Sequence, residues 1–400
     1  MGGGGAAGSG DLCPIGLGAP VDPGIAFTTA TEHPTRRGAE YVALGDLNGD
    51  GKPDLAVINA FAADQNGAAG SNGGGGTGNT GGAGPNFGTG SVSVFLSQGN
   101  AGFAGPQNYL AGNQPNFIAI GDLDGDGKSD LAITNFQDLS ILYNDGAGTL
   151  LSPVSFSTGS QPTWVAISDL NGDGKADLAV ANEQGGGLAI LLNLGNGSFV
   201  SASYPAGSAP GSGALGDLNG DGKPDIAVVN KAGVGVLLNN GDGTFAPIVG
   251  YGAGTFPSTV AIGDLNGDGR ADLAVSNGNV GGASVLLNIG SGTFAAPVDY
   301  AYAGGGGPVA IGDLNGDGKP DLISSGSGPC GVVAVLLNRG SAAFNAPFYM
   351  NVGQNPTTSF ALGDLNADGR LDLVVTDYNI NGVVSEPQTL GVGVLLNGAH

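Results

Sequence analysis

Two cysteines, two histidines and one tryptophan are all that 400 residues supply of the side chains most used in redox, imidazole and relay chemistry. Cys13 and Cys330 are hundreds of residues apart, so there is no Cys-x-x-Cys zinc or redox pair. Bases are scarce as well: 11 Lys and Arg stand against 34 Asp and Glu, a formal charge of −23. A polyanion of this kind does not bind nucleic acid through its phosphates, which requires a basic surface. It is equally unsuited to anionic membrane surfaces. No run of 18 apolar residues is present, so no helix is expected to cross or insert into a membrane. The opening residues, Met1 to Gly10, lack the basic and apolar regions of a secretion signal. A targeting segment is therefore expected to have been removed or to belong to a longer chain.

What is abundant is glycine, 81 of 400 residues, about three times the usual share of roughly one in fourteen. The glycines do not recur every third residue, which excludes collagen, and an apolar share of 40% is enough to bury a core.

One nonapeptide accounts for much of the glycine and most of the acid. Asp46-Leu-Asn48-Gly-Asp50-Gly-Lys52-Pro-Asp54 recurs with first residues Asp122, Asp169, Asp217, Asp264, Asp313 and Asp364, giving seven copies at intervals of 76, 47, 48, 47, 49 and 51. All intervals but the first match one blade of a β-propeller. The first is a blade plus 76 − 48 = 28 residues, a Gly- and Asn-rich insertion within 62–90 that has too little apolar content to pack and is expected to be a flexible, disordered loop.

Each repeat divides into four short strands. In the fifth they are expected at Val260–Gly263, Leu273–Ser276, Ser284–Leu287 and Phe294–Tyr300, with the acidic loop between the first two. The first strand alternates a bulky face (Leu44, Ile120, Ile167, Leu215, Ile262, Ile311, Leu362) with an alanine face (Ala43, Ala119, Ala166, Ala214, Ala261, Ala310, Ala361). Large against small suits blades that crowd around an axis. The last repeat stops at Asn397, before its outer strand, while Leu17-Gly-Ala-Pro20-Val21 matches Phe294-Ala-Ala-Pro297-Val298. The fold class expected is all-β: a closed seven-bladed propeller of four-stranded antiparallel blades, its last blade completed by an N-terminal outer strand. The expected layout is a flexible Gly-rich arm at 1–16, one propeller domain over 17–397, and a short tail at 398–400.

Within each nonapeptide, positions 1, 3, 5 and 9 carry side-chain oxygen, and position 7 would contribute its backbone carbonyl. Position 1 is Asp46, Asp122, Asp169, Asp217, Asp264, Asp313 and Asp364, and position 3 is Asn48, Asp124, Asn171, Asn219, Asn266, Asn315 and Asn366. Position 5 is Asp50, Asp126, Asp173, Asp221, Asp268, Asp317 and Asp368; position 7 is Lys52, Lys128, Lys175, Lys223, Arg270, Lys319 and Arg370; position 9 is Asp54, Asp130, Asp177, Asp225, Asp272, Asp321 and Asp372. Hard oxygen donors converging on one turn suit Ca²⁺, up to seven ions in all. The helix–loop–helix calcium site needs an acid at position 12, where this chain has Val57, Ile133, Val180, Val228, Val275, Ser324 and Val375, so the loop closes at position 9. Tight Asp- and Asn-rich turns could arise from turn geometry alone. Seven copies of mutually repelling carboxylates, each pair costing roughly 1 to 4 kcal/mol at 4 Å, argue for a cation instead. Loop acids make up 7 × 3 + 1 = 22 of the 34, and seven Ca²⁺ would bring −23 to −9. The seventh loop has Ala367 for Gly at position 4 and is expected to be the weaker one.

These residues, with a preceding Val-Ala-Ile-Gly and a following Gly-Thr-Phe-x-x-Pro, resemble the FG-GAP/VCBS repeat family, whose blades also build the head of integrin α-subunits. The resemblance covers Leu17 to Asn397. It implies calcium between the first two strands of each blade and extracellular adhesion or ligand binding, without identifying the ligand. No Arg-Gly-Asp tripeptide is present.

No catalytic constellation is visible, so an enzyme is not expected. His33, in Glu32-His33-Pro34, reads as an exposed loop residue leading into the first blade, and Gly-Asp-Gly-Lys128-Ser129 fails as a phosphate loop because Asp122 stands where the first glycine should be. The chain reads as a monomeric, secreted or cell-surface, calcium-stabilised binding module for a carbohydrate or protein. The rival readings are a calcium-dependent polysaccharide lyase and a purely structural surface protein. Five residues before each first Asp stand Tyr41, Phe117 and Trp164 in consecutive blades. They are either a stacking platform on the face opposite the loops or filling between blades. Cys13 and Cys330 fall in neighbouring blades; strand heights oppose a disulfide between them, and both outcomes stay open.

Overall fold

The structure, a computed structural model, describes residues 25–28, 31–35, 38–60, 89–195, 197–278, 281–303, 306–326, 331–353, 359–376 and 391–398. Most of the 62–90 insertion, the 1–16 arm, and both Cys13 and Cys330 lie outside these residues.

Seven four-stranded antiparallel sheets follow one another along the chain as blades around an axis, and no helix occurs among the described residues. Blade 1 comprises Ala39–Gly45, Asp54–Asn59, Thr89–Phe95 and Gln107–Asn113 from the axis outward. The second strand of each blade reads as a short apolar run without alternation, such as Asp54-Leu-Ala-Val-Ile-Asn59, because a neighbouring blade covers each of its faces. All six of these residues are buried. The fifth repeat shows where the expected strands needed adjusting. Its strands are Pro257–Gly263, Asp272–Asn277, Ala283–Leu286 and Val298–Tyr300, and Phe294 leaves the outer strand to close a small hairpin with Asn288.

The core is divided among the seams. Seven apolar clusters each join two adjacent blades. At every seam the alanine of one inner strand meets the bulky residue of the next, as Ala43 with Ile120 and Ala261 with Ile311. The fit is close: a Cβ on Gly45 would lie 2.8 Å from Ile120 Cγ2. Large against small is thus the packing rule.

The seam between blades 7 and 1 closes the ring, with Leu365, Val374, Val392 and Val394 packed on Ala39, Val42, Leu55 and Phe95. The outer strand of blade 7 is Thr31–Pro34, paired antiparallel with Gly391–Leu395. Phe27 bridges Asn397, so Phe27 takes the place that Phe294 has in blade 5. The closing strand therefore lies ten residues beyond the Leu17–Val21 match, and His33 belongs to it. The loop reading of His33 is corrected: its ring is half-buried, edge-on to Phe95 and Phe103 at 6.1 and 5.3 Å.

Candidate metal centres on the acidic loops

The loop after the innermost strand is built the same way in each blade. In the first, Asp46 accepts hydrogen bonds from the backbone N–H groups of Gly49 (2.7 Å), Asp50 (3.2 Å) and Gly51 (2.8 Å), while Asn48 Oδ1 accepts from Asp50 N–H (2.9 Å). This nest requires left-handed backbone at positions 4 and 6, where Gly49 has φ 76° and Gly51 φ 79°. Neither glycine has a neighbour that a Cβ would strike, so conformation and not space selects glycine there. The seventh loop places Ala367 at φ 61° in the same turn.

Position 9 anchors the turn to the blade. Asp54 is fully buried and accepts from Leu47 N–H (2.8 Å) on one oxygen and from Ser97 N–H (2.6 Å) on the other. The six later loops repeat this, as in Asp225 with Leu218 and Asn239. Burial pushes these carboxyls up, opposed by the backbone N–H groups and reinforced by the other loop acids; Asp130 and Asp321 reach about 6. Position 5 behaves oppositely. The side chain of Lys52, bonded to Asp50 at 3.0 Å, holds that exposed carboxyl below its ordinary value. Lys128, Lys175, Lys223, Arg270 and Lys319 pair in the same way with the acid two residues before them. These six position 7 side chains thus lie on the solvent side.

The second loop is the most acidic. Asp122, Asp124 and Asp130 each offer an oxygen, and these atoms lie within 4.8 Å of one another. Burial and the neighbouring Asp126 and Asp122 carboxylates raise Asp124, despite a backbone N–H from Asp126. Hard anionic oxygens crowded this closely are the donor set a divalent cation satisfies.

Two recurring residues escaped sequence reasoning, a leucine present in all seven repeats and an asparagine present in six. Position 2 is a buried leucine, from Leu47 to Leu365. The Asn of the Leu-Leu-Asn segment at the end of the third strand (Leu142-Tyr143-Asn144 in blade 2) donates to the position 2 carbonyl of the preceding blade: Asn144 to Leu47 (2.6 Å), Asn239 to Leu170 (3.0 Å), Asn397 to Leu314 (2.7 Å). It ties the loops of blades 1 to 6 each to the blade after it.

The aromatic trio does not form an exposed platform. Trp164 is 3% exposed and lies against Gly213 of the next blade, where a Cβ would stand 3.1 Å from the indole. Tyr41 and Phe117 are half-buried and stack on each other at 4.1 Å, and burial raises the Tyr41 phenol beyond its ordinary range. The aromatic that is open on a connection between blades is Phe256, 67% exposed with φ 56°.

A β-propeller carrying one acidic, glycine-pinned loop per blade defines the class of this protein. The FG-GAP-like repeat profile matches residues 122–180, 169–228, 217–275, 264–324 and 313–375, well over half of the chain, and the chain belongs to that family. No curated protein sequence matches it. Among solved structures it resembles an Agrocybe aegerita lectin that recognises non-reducing terminal N-acetylglucosamine (21% identity, 79% of this chain and 81% of the lectin, TM-score 0.52). It also resembles the Pseudomonas aeruginosa periplasmic gluconolactonase (15% identity, 80% and 86%, TM-score 0.54). A third is the BBS1N domain in complex with ARL6DN (16% identity, 93% and 97%, TM-score 0.56). At these identities the likeness is one of fold.

Proposed function

We propose that the protein is a calcium-stabilised binding module that acts outside the cell on a carbohydrate or protein ligand. The convergence of Asp122, Asp124 and Asp130 oxygens within 4.8 Å carries the calcium reading. In each loop the ligands would be the side chains at positions 1, 3, 5 and 9 with the position 7 carbonyl. Bound calcium would supply the positive charge that offsets mutually repelling carboxylates, and the chain's own part is to hold those oxygens in a pinned turn. Millimolar calcium is available outside cells, which fits loops of this exposure. A native-state ligand in hundredfold excess over its Kd adds about 2.7 kcal/mol per site. Thermal melts in EDTA and in millimolar Ca²⁺ should therefore give well-separated midpoints, more so at low salt; equal midpoints would overturn the calcium reading.

The binding reading rests on the symmetry of the seven loops, because chemistry usually breaks a repeat where it occurs, and the lectin neighbour shows that a related fold can present a sugar site. On this chain the ligand face is assigned to the end opposite the loops, with Phe256 at its rim in place of Trp164. A glycan and protein-partner array probed with the calcium-loaded protein, with EDTA and Phe256→Ala controls, tests the assignment. Binding lost in both controls supports it. Turnover of a polysaccharide or lactone would favour the enzyme reading, and no ligand at all a structural surface protein.

A further inference from the structure

We propose that the Thr31–Pro34 strand is a pH-released latch, with His33 as the group that releases it on protonation. The outer strands of blades 1, 3, 4 and 5 carry Tyr109, Tyr204, Tyr251 and Tyr300, whose hydroxyls donate to a turn carbonyl of the next blade: Gly148 (3.3 Å), Gly243 (3.5 Å), Gly292 (3.2 Å) and Ala342 (2.7 Å). His33 occupies the corresponding place in blade 7. It keeps the edge-on ring contact, 5.3 Å to Phe103 against 5.3 Å for Tyr251 with Phe294. The polar contact is missing: its Nε2 is buried without a hydrogen-bond partner among the described residues.

The same seam lacks the second polar tie. Blades 2 to 7 each send an Asn amide to the preceding blade's loop carbonyl. Blade 1 has Ser97 at that place, and Leu365 of blade 7 receives the backbone N–H of Ala101 at 3.1 Å, a bond that Leu170 and Leu265 receive in addition to their Asn. The latch pairs over four residues, ends in a proline without an N–H, and is joined to its partner strand by no turn, being over 350 residues away in sequence.

An added proton would place a charge beside two phenylalanine rings, with no hydrogen-bond acceptor at Nε2 among the described residues. The strands packed on the imidazole, Thr89–Phe95, Gly102–Phe103 and Gly391–Leu395, carry no titratable side chain. Glu32 of the same strand is exposed on the other face by alternation, while Lys52 and Asp54 of the first loop meet the Ser97–Gly99 strand. Desolvation accordingly holds the imidazole below its ordinary value. A lifted strand regains an ordinary imidazole, so release is favoured as pH falls through about 6.5.

Hydrogen exchange of the calcium-saturated protein at pH 7.5 and 5.5, corrected for intrinsic rates, tests this. Amides of Thr31–His33 and Gly391–Leu395 should open up to about tenfold more at the lower pH, while Val298–Tyr300 in blade 5, held by Tyr300, should not change. His33→Tyr should abolish the response, and His33→Phe, also uncharged, covers the case in which the tyrosine does not fit. Equal protection at both pH values, or a response that survives both substitutions, would overturn the latch.

Discussion

The seventh loop departs from the other six at position 4. Position 4 has φ between 75° and 84° in the glycine-bearing loops, and the turn demands it because the N–H of Gly49 and its counterparts closes onto the position 1 carboxylate. Ala367 adopts φ 61° in the same nest. A non-glycine residue there costs roughly 1 to 2 kcal/mol, less the entropy a glycine loses on folding. Ala367→Gly should therefore stabilise the protein by about 1 kcal/mol in a denaturant titration. An unchanged or lower midpoint would show that the loop does not select for left-handed backbone.

Blade neighbours communicate through the asparagine that ends each third strand. Asn239 is buried, donates to Leu170 of the preceding blade (3.0 Å) and to Pro224 of its own (3.1 Å), and accepts from Gly241 N–H (2.7 Å). Asn239→Ala loses three bonds of about 1 kcal/mol each and should cost about 2 to 3 kcal/mol. The exposed neighbour Asn240→Ala should stay within about 0.5 kcal/mol, and equal losses in the two would refute the tie. Such contacts mark the boundary of what the sequence made legible. Blade number, the large-against-small inner strands and the loop acids could be read because each repeats at a fixed spacing and its chemistry is local. The role of Leu-Leu-Asn was hidden although the segment repeats, since its partner is a carbonyl some 70 residues earlier. His33 and the true closing strand were missed for another reason: the seam that joins the chain ends is the one place where the repeat register is not continuous. Trp164 was open to two readings because alternation tells which face of a strand a residue takes, not how deep the neighbouring blade buries it.

The whole molecule carries −23 charges, and its response to pH should reverse with metal. Without calcium, burial pushes Asp130 and Asp321 up to about 6 and Glu40 to about 7. The folded chain then takes up protons at a pH where the unfolded chain is still ionised. Between about pH 7 and pH 4 the folded state binds more protons, so its stability rises as pH falls. Neutralising surface acids relieves self-repulsion in the same direction. His33 opposes this trend with one group, confined to one seam. With calcium bound the loop acids must be ionised, protons compete with the metal, and calcium-dependent stabilisation shrinks on acidification. Melting midpoints in EDTA should climb from pH 7.5 to 5 while those in millimolar Ca²⁺ fall, so that the two curves converge. Parallel curves would mean that the buried position 9 carboxylates neither titrate in this range nor hold the metal.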